Sequence, residues 1–334
     1  MTALLDIAGL VTEFRTENGP LTAVKGVDLS IAKGETVALV GESGSGKSVT
    51  SLSVMRLIPE RVGRIAAGQI MFTGADGTRR DLAQLDQDEM SRIRGRDIAM
   101  IFQEPMTSLN PSYRIGAQVA EAARLHRAIG RRAAWDLAVE ALAQVEIPDP
   151  VARARAFPHE LSGGMRQRVM IAMALVCDPV LLIADEPTTA LDSTVQLQIL
   201  ALLKRLQAER GMGILFITHN LGVVAEIADT VAVMYGGRIV EAAPRDTIFT
   251  APAHPYTRGL LASLPRVDHA ARAAGVVDRL VAIPGSMVDP RHPPPGCDFG
   301  PRCAHVTDAC RAAVPGLQEV GPGHQTRCLR WSEL

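Results

Sequence analysis

Residues 37–48 read VALVGESGSGKS, and this run decides the fold. Val37–Val40 is continuously apolar, as a strand buried on both faces must be. The next eight residues, Gly41-Glu42-Ser43-Gly44-Ser45-Gly46-Lys47-Ser48, fit the phosphate-loop pattern G-x-x-x-x-G-K-[ST]. Glycines let the backbone wrap around phosphate oxygens, so that successive N–H groups and the N-terminus of the next helix meet negative charge. Lys47 offers a point charge to β- and γ-phosphates, and Ser48 offers a hydroxyl to Mg²⁺. A helical stretch is expected over Val49–Leu57, which sets the loop between a buried strand and a helix. A flexible Gly/Ser turn is the plain alternative, and this strand–loop–helix context argues against it.

Outward from this run, Leu21–Ile31 and Thr36–Val40 are β-rich, with Lys33-Gly34 as the turn between them. Val180–Ala184 (VLLIA) and Ile214–Thr218 (ILFIT) read as two further buried strands, and Val195–Arg210 between them has helical apolar spacing. A helix is expected from near Ser162 to Val176. Another helical, Ala-rich stretch is expected over about Gly116–Val145, after a break at Asn110-Pro111. Strands separated by helices indicate parallel, right-handed crossover units and an α/β class. After Thr250 the composition turns Pro- and Gly-rich, with one helical piece near Tyr256–Leu264. A domain boundary is expected near Ala251, dividing the chain into 1–250 and 251–334.

Bulk composition narrows the function classes. The 334 residues are 47% hydrophobic and 21% charged, an ordinary globular balance. Lys plus Arg number 35 against 36 Asp plus Glu, so charge gives no reason to expect nucleic acid as the main partner. No run approaches the ~20 apolar residues of a membrane-spanning helix. The N-terminal MTALLDIAGL has no basic region before a long apolar core, so it does not read as a secretory signal, and a cytoplasmic protein is expected.

Three further features point to the chemistry of a nucleotide. Asp185-Glu186 ends the second buried strand, where ligands collect in an α/β sheet. Asp185 is placed to hold Mg²⁺ through water, and Glu186 to polarise an attacking water. A solvated acidic pair capping Pro187-Thr188 is the alternative. His219 ends the third buried strand at the same sheet edge, suited to a γ-phosphate contact rather than to a purely structural place. Gln103, after Ala99–Phe102, says little by itself. Leu161-Ser162-Gly163-Gly164-Met165-Arg166-Gln167 makes a second helix N-terminus able to cradle an anion. One ATP hardly needs two cradles, so this one suits an ATP held by another subunit; an ordinary N-cap with a glycine turn is the alternative.

The set Gly41–Ser48, Gln103, Leu161–Gln167, Val180–Glu186, Ala190-Leu191-Asp192 and His219, in this order, resembles the nucleotide-binding subunit of ATP-binding-cassette transporters. The likeness covers residues 1 to about 250, and its most specific element is the Leu-Ser-Gly-Gly run. VGESGSGKS (40–48), FQEPMTSLNP (102–111), LSGGMRQR (161–168) and His254-Pro255-Tyr256-Thr257-Arg258 with the cysteine-bearing tail resemble the oligopeptide/dipeptide importer branch. The resemblance implies a P-loop NTPase cassette with a mainly parallel core sheet, an antiparallel β subdomain, a helical subdomain over about 104–176 that touches the membrane subunit, and a small Cys-rich C-terminal extension. It implies ATP and Mg²⁺, with Gln103 sensing Mg²⁺ and the attacking water. Val49 follows the phosphate loop in the nucleotide set. Ser162, Gly163 and Gly164 would meet the γ-phosphate on the opposite subunit, Asp192 would couple the two sites, and Phe14 would stack on adenine.

The partners it implies are a second cassette subunit, a paralogue in the family's usual pattern, two transmembrane permeases and an extracytoplasmic solute-binding protein. Nucleic acid is not among them. The chain would lie at the cytoplasmic face of the inner membrane as a peripheral subunit. Tyr113 lies in the helical stretch and reads equally as ordinary packing. Met165, Met170 and Met173 read as core. A soluble cassette ATPase of DNA repair or translation shares the nucleotide core, but would be expected to show basic patches, a coiled-coil insertion or a second cassette. A metal- or redox-regulated adaptor explains the tail but not Glu186 and His219.

Of five cysteines, Cys297, Cys303, Cys310 and Cys328 crowd into the tail with gaps of five, six and seventeen residues. A Pro/Gly-rich segment with so little apolar content needs a staple. Disulfides are disfavoured in a reducing compartment. Four thiolates suit structural Zn²⁺, although the usual C-x₂₋₄-C knuckles are missing, and they also suit an Fe–S cluster. The resemblance favours a [4Fe–4S] cluster, since tails of this kind hold one in peptide-importer subunits. Cys177, at the end of an apolar helix, reads as a packing residue.

Overall fold

The computed structural model describes residues 3–17, 19–103, 108–189, 191–264 and 282–334. Two sheets organise them. The larger has eight strands in the order β11-β12-β10-β9-β3-β8-β7-β6. Its parallel half comprises β3 (Thr36–Val40), β6 (Ile98–Ile101), β7 (Leu181–Asp185), β8 (Gly213–Thr218) and β9 (Thr230–Tyr235). Every residue of β3, β7 and β8 is buried, which is why these runs carry no polar alternation. The other half is antiparallel: β10 (Arg238–Pro244) pairs with β9, and the C-terminal hairpin β11 (Gln318–Gly321) and β12 (His324–Thr326) adds to β10. The C-terminal residues thus extend the main sheet.

The second sheet is wholly antiparallel, in the order β2-β1-β4-β5. It contains β1 (Leu5–Thr16), β2 (Gly19–Ile31), β4 (Gly63–Thr73) and β5 (Arg79–Asp81). Here the burial pattern alternates only in part, because one face packs on a shared core of Leu5, Ile7, Val27, Ile70 and Phe72 with Leu39 and Ile183 of the main sheet.

Helices fill the layers: α1 (Lys47–Val54), α2 (Gln87–Ile93), α3 (Ile115–His126), α4 (Arg131–Gln144), α5 (Pro150–Arg153), α6 (Gly163–Leu175), α7 (Ser193–Arg210), α8 (Leu221–Ile227), α9 (Arg245–Thr250), α10 (Pro255–Ala262) and α11 (Asp308–Ala312). Two expected helices differ from the sequence reading. The helix expected over Val49–Leu57 begins at Lys47, after Gly46 in the left-handed region at φ 107°, and ends before Arg56, also left-handed at φ 50°. The stretch expected to be helical over about Gly116–Val145 is two helices. Arg127 closes α3 in an extended conformation and Gly130 opens α4 as its N-cap, so the chain reverses and α3 packs on α4. Helices α3, α4 and α6 then share one apolar core with Met170 and Cys177, and Met165 and Met173 pack against it. Among the described residues, no helix is long and apolar enough to cross a membrane.

Candidate functional site

The C-terminal ends of β3, β7 and β8 lie side by side, since β3 pairs with β8 and β8 with β7. The loop 41–46 leaves β3 at this edge. Its tightness is enforced: a Cβ on Gly41 would sit 2.2 Å from the Met234 carbonyl oxygen, and one on Gly46 2.8 Å from the Ala23 carbonyl. The Lys47 ammonium turns back into the loop, donating to the Gly41 and Glu42 carbonyls at 2.8 and 3.0 Å. Burial pushes its pKa down, against the opposing pull of Glu186, Asp185 and Glu42. The Ser45 hydroxyl is buried without a hydrogen-bond partner. A buried cation resting on carbonyls, beside a buried orphan hydroxyl, fits an anionic phosphate chain.

Ser48, in the first turn of α1, donates to Asp185 at 3.2 Å. Burial raises the Asp185 pKa, the Ser48 hydrogen bond opposes this, and the Glu186 charge adds to the rise. A divalent cation would relieve that cost, and an all-oxygen pair suits Mg²⁺.

Glu186 follows β7 with φ 49°, a left-handed conformation that is unusual for a side-chain-bearing residue and costs about 1–3 kcal/mol. Its own N–H donates to Ile217 at 2.9 Å and holds it there. The carboxylate is clasped from three directions. Gln103 donates at 3.2 Å, Thr189 at 2.9 Å, and His219 Nδ1 lies 3.1 Å from the other oxygen. Burial alone would raise the pKa, but the hydrogen bonds from His219 and Thr189, with the charges of His219 and Lys47, outweigh it. Glu186 is therefore held below the ordinary carboxylate value, ionised and oriented to accept a proton. Thr189 has no signal of its own in the sequence, and only the turn after Glu186 brings it into reach.

The other residues of interest form separate groups. Ser162 caps α6, accepting from Met165 N at 3.4 Å, and Asp192 caps α7, accepting from Val195 N at 3.0 Å. These two helix starts meet, because a Cβ on Gly164 would fall 2.7 Å from Val195 Cγ1. Gly163 has open space in front of it. Ala190 lies outside the described residues, as do residues 104–107 of the FQEPMTSLNP run. Phe14, on β1, pairs with Gly63 of β4, and a Cβ on Gly63 would fall 3.0 Å from its ring.

In the tail, Cys297, Cys303, Cys310 and Cys328 line one cavity together with His254, Phe299 and His305. All four are free thiols, and burial raises the pKa of Cys297 to about 11 and pushes up Cys303 and Cys328. Among the described residues, no three His, Cys, Asp or Glu side chains are gathered closely enough to hold a metal ion. The cavity brings the four sequence-selected cysteines together without an assembled single-ion site.

A phosphate loop on a parallel sheet, an adjoining aspartate–serine pair, an oriented glutamate and a separate Leu-Ser-Gly-Gly helix start define a P-loop ATPase of the cassette class. The chain belongs to the ATP-binding-cassette transporter family: residues 24–189 match the ABC transporter model, and residues 240–310 match the oligopeptide/dipeptide transporter C-terminal region. It is 57% identical over 331 residues to a Brucella melitensis protein named for peptide import ATP binding, covering 99% of this chain and 98% of that one. It is 48% identical over 333 residues to the oligopeptide transport ATP-binding protein AppD of Bacillus subtilis, covering 100% of this chain and 98% of AppD. With OppD of the same organism it shares 49% over 327 residues, covering 98% and 88%. Among solved structures, the dimeric ATP-binding cassette MJ0796 in a post-hydrolysis state with ADP and phosphate superposes with TM-score 0.62 at 28% identity, covering 72% of this chain and 98% of that one.

Proposed function

We propose that this chain hydrolyses ATP to energise import of peptides or related small solutes through a membrane transporter. The observation that carries the reading is the ionised Glu186, fixed by Gln103, Thr189 and His219 beside the Lys47 loop and the Ser48–Asp185 pair. In this reading Gly41–Val49 hold the triphosphate, with Lys47 leaving its carbonyl partners for the β- and γ-phosphates. Ser48, Asp185 and Gln103 would hold Mg²⁺, which supplies charge neutralisation at the phosphates when bound. Glu186 accepts a proton from the attacking water, and His219 orients Glu186 and faces the γ-phosphate. Phe14 is the platform for adenine. Ser162, Gly163 and Gly164 act on the nucleotide of a second cassette, with Asp192 at the joint between α6 and α7.

The partners we infer are a second cassette subunit, a paralogue in this reading, two permeases and an extracytoplasmic solute-binding protein. The chain would then sit peripherally at the cytoplasmic face of the membrane, meeting a permease through the helical cluster of about 104–176 that carries the exposed Tyr113. Support comes from the peptide-import names of the relatives and the match of the C-terminal region. Reconstitution with neighbouring permeases and binding protein should show ATP hydrolysis that peptide accelerates. Hydrolysis indifferent to every peptide, but accelerated by nucleic acid, would sink it in favour of a soluble cassette ATPase.

For the extension (251–334 as a unit) we propose that Cys297, Cys303, Cys310 and Cys328 hold a [4Fe–4S] cluster rather than Zn²⁺. The four thiols line one cavity, and four thiolates are the ligand set of a [4Fe–4S] cluster. Anaerobically purified protein should carry about four irons with matching sulfide; one tightly held zinc and no iron would reject the assignment.

A further inference from the structure

Glu42, the second residue of the phosphate loop, is held from the C-terminal extension at two points. Its N–H donates to the hydroxyl of Tyr256 at 2.9 Å. Its carboxylate accepts both terminal nitrogens of Arg302, at 2.6 and 3.1 Å. Neither partner is free to move away. Tyr256 is fully buried and meets Tyr235 edge-on at 4.7 Å between ring centres. Arg302 has a side chain 5% exposed, donates from Nε to the Pro284 carbonyl at 3.0 Å, and places its guanidinium over the rings of Tyr235 and Phe299.

Arg302 and Phe299 lie in the turn bounded by Cys297 and Cys303. This turn is pinned at its start by the Cys297 N–H on the Cys310 carbonyl at 2.8 Å. A third pin comes from Asp298, which lies 3.5 Å from Lys25 and 3.2 Å from Arg238. The turn is therefore a rigid body fastened to the cassette, with a planar two-point grip on the loop that wraps phosphate.

The loop has an acceptor problem that this grip solves. The inner residues of a phosphate loop present their N–H groups to the anion, so its first residues are free to be fixed from outside. Here the Glu42 N–H points outward to Tyr256, so the chain is anchored where it leaves β3. The same residue's carbonyl receives Lys47 at 3.0 Å, so the anchor also sets the place from which the lysine reaches phosphate.

We propose that Arg302 and Tyr256 are positioning residues for nucleotide binding: the turn between Cys297 and Cys303 clamps Glu42 and thereby preorganises the phosphate loop, so that ATP affinity depends on the C-terminal extension being seated. The proposal rests on the reading of Gly41–Ser48 as the triphosphate site. A brace that served stability alone would lower the unfolding midpoint and leave affinity unchanged; a clamp changes affinity and KM more than kcat.

The test uses the full-length chain and Mg-ATP. Arg302→Met and Glu42→Gln should each weaken equilibrium binding roughly ten-fold, Arg302→Lys should recover part of the loss, and the double variant should bind no worse than the weaker single. In the assembled transporter, Arg302→Met should raise KM for ATP while kcat changes less than about two-fold. Singles within about two-fold of wild type, or single effects that multiply in the double, would overturn the clamp. Should Arg302→Met not accumulate as folded protein, Tyr256→Phe removes only the hydroxyl; about three-fold weaker binding supports the clamp and unchanged binding overturns it. Wild-type chain that fails to bind Mg-ATP would overturn the triphosphate reading itself, an outcome distinct from wild-type binding with unaltered variants.

Discussion

The two halves of the main sheet use buried polar groups in opposite ways. At the ends of the parallel strands β3, β7 and β8, polar groups are left open to a ligand: Lys47 rests on loop carbonyls, Ser45 has no partner, and Glu186 is bent into a left-handed conformation. In the antiparallel half, the polar groups satisfy one another. Glu241 on β10 is fully buried, and its carboxylate accepts the Ala253 N–H at 2.6 Å, the His254 N–H at 3.0 Å and meets His324 Nε2 at 2.8 Å. One carboxylate thus ties the start of α10 and strand β12 to the cassette. The comparison teaches where stability has been given up for binding and where it has been kept.

The contrast breaks or sharpens by substitution. The largest effect is expected at Glu241. Glu241→Ala strands two buried N–H groups and a histidine, and should cost about 3–5 kcal/mol in denaturant unfolding. A cost under about 1 kcal/mol would show that the extension is fastened elsewhere. Next comes Lys47→Ala, which should weaken ATP binding by about 10²–10³-fold while leaving the ligand-free protein as stable as before or more so, because a desolvated cation is removed. Loss of stability equal to that of Glu241→Ala would erase the distinction between the two regions.

The smallest effect is a pH dependence at His254. This ring is buried, accepts the Tyr256 N–H at Nδ1, and burial pushes its pKa from 6.5 down to about 3. Between those values the unfolded chain binds a proton that the folded chain does not. Its contribution is therefore complete above about pH 6.5 and is lost at up to roughly 1.4 kcal/mol per pH unit as pH falls toward 3. Urea unfolding between pH 7 and 5 should show this slope in the wild type and a shallower one in His254→Asn. Equal slopes would remove His254 from the account.

Legibility from sequence followed the distance over which each feature is built. The phosphate loop was readable because its chemistry sits in consecutive residues after a continuously apolar strand, and Asp185-Glu186 because it ends another. The antiparallel sheet was harder. β1 and β2 have register shifts and a mixed burial pattern, so neither shows clean alternation, and the former's bounds emerged only from pairing. The Arg127–Gly130 break leaves no mark in the periodicity because Ala-rich helices lie on both sides of it. Thr189 beside Glu186 depends on a turn, and the grip of Tyr256 and Arg302 on Glu42 joins residues 214 and 260 positions apart, for which local pattern carries no information. The cysteine tail could be selected by residue type, but its convergence on one cavity is a property of the fold.

The central claim is that Glu186 at the end of β7 activates water on an ATP held by Lys47. Its most direct test is to measure ATP binding and turnover on the same preparation of Glu186→Gln, assembled with its partner subunits. The substitution keeps shape and removes the charge that accepts the proton. Binding should stay within about three-fold of wild type while the hydrolysis rate falls by about 10²–10⁴-fold. Turnover near the wild-type rate, with ATP bound as before, would contradict the account.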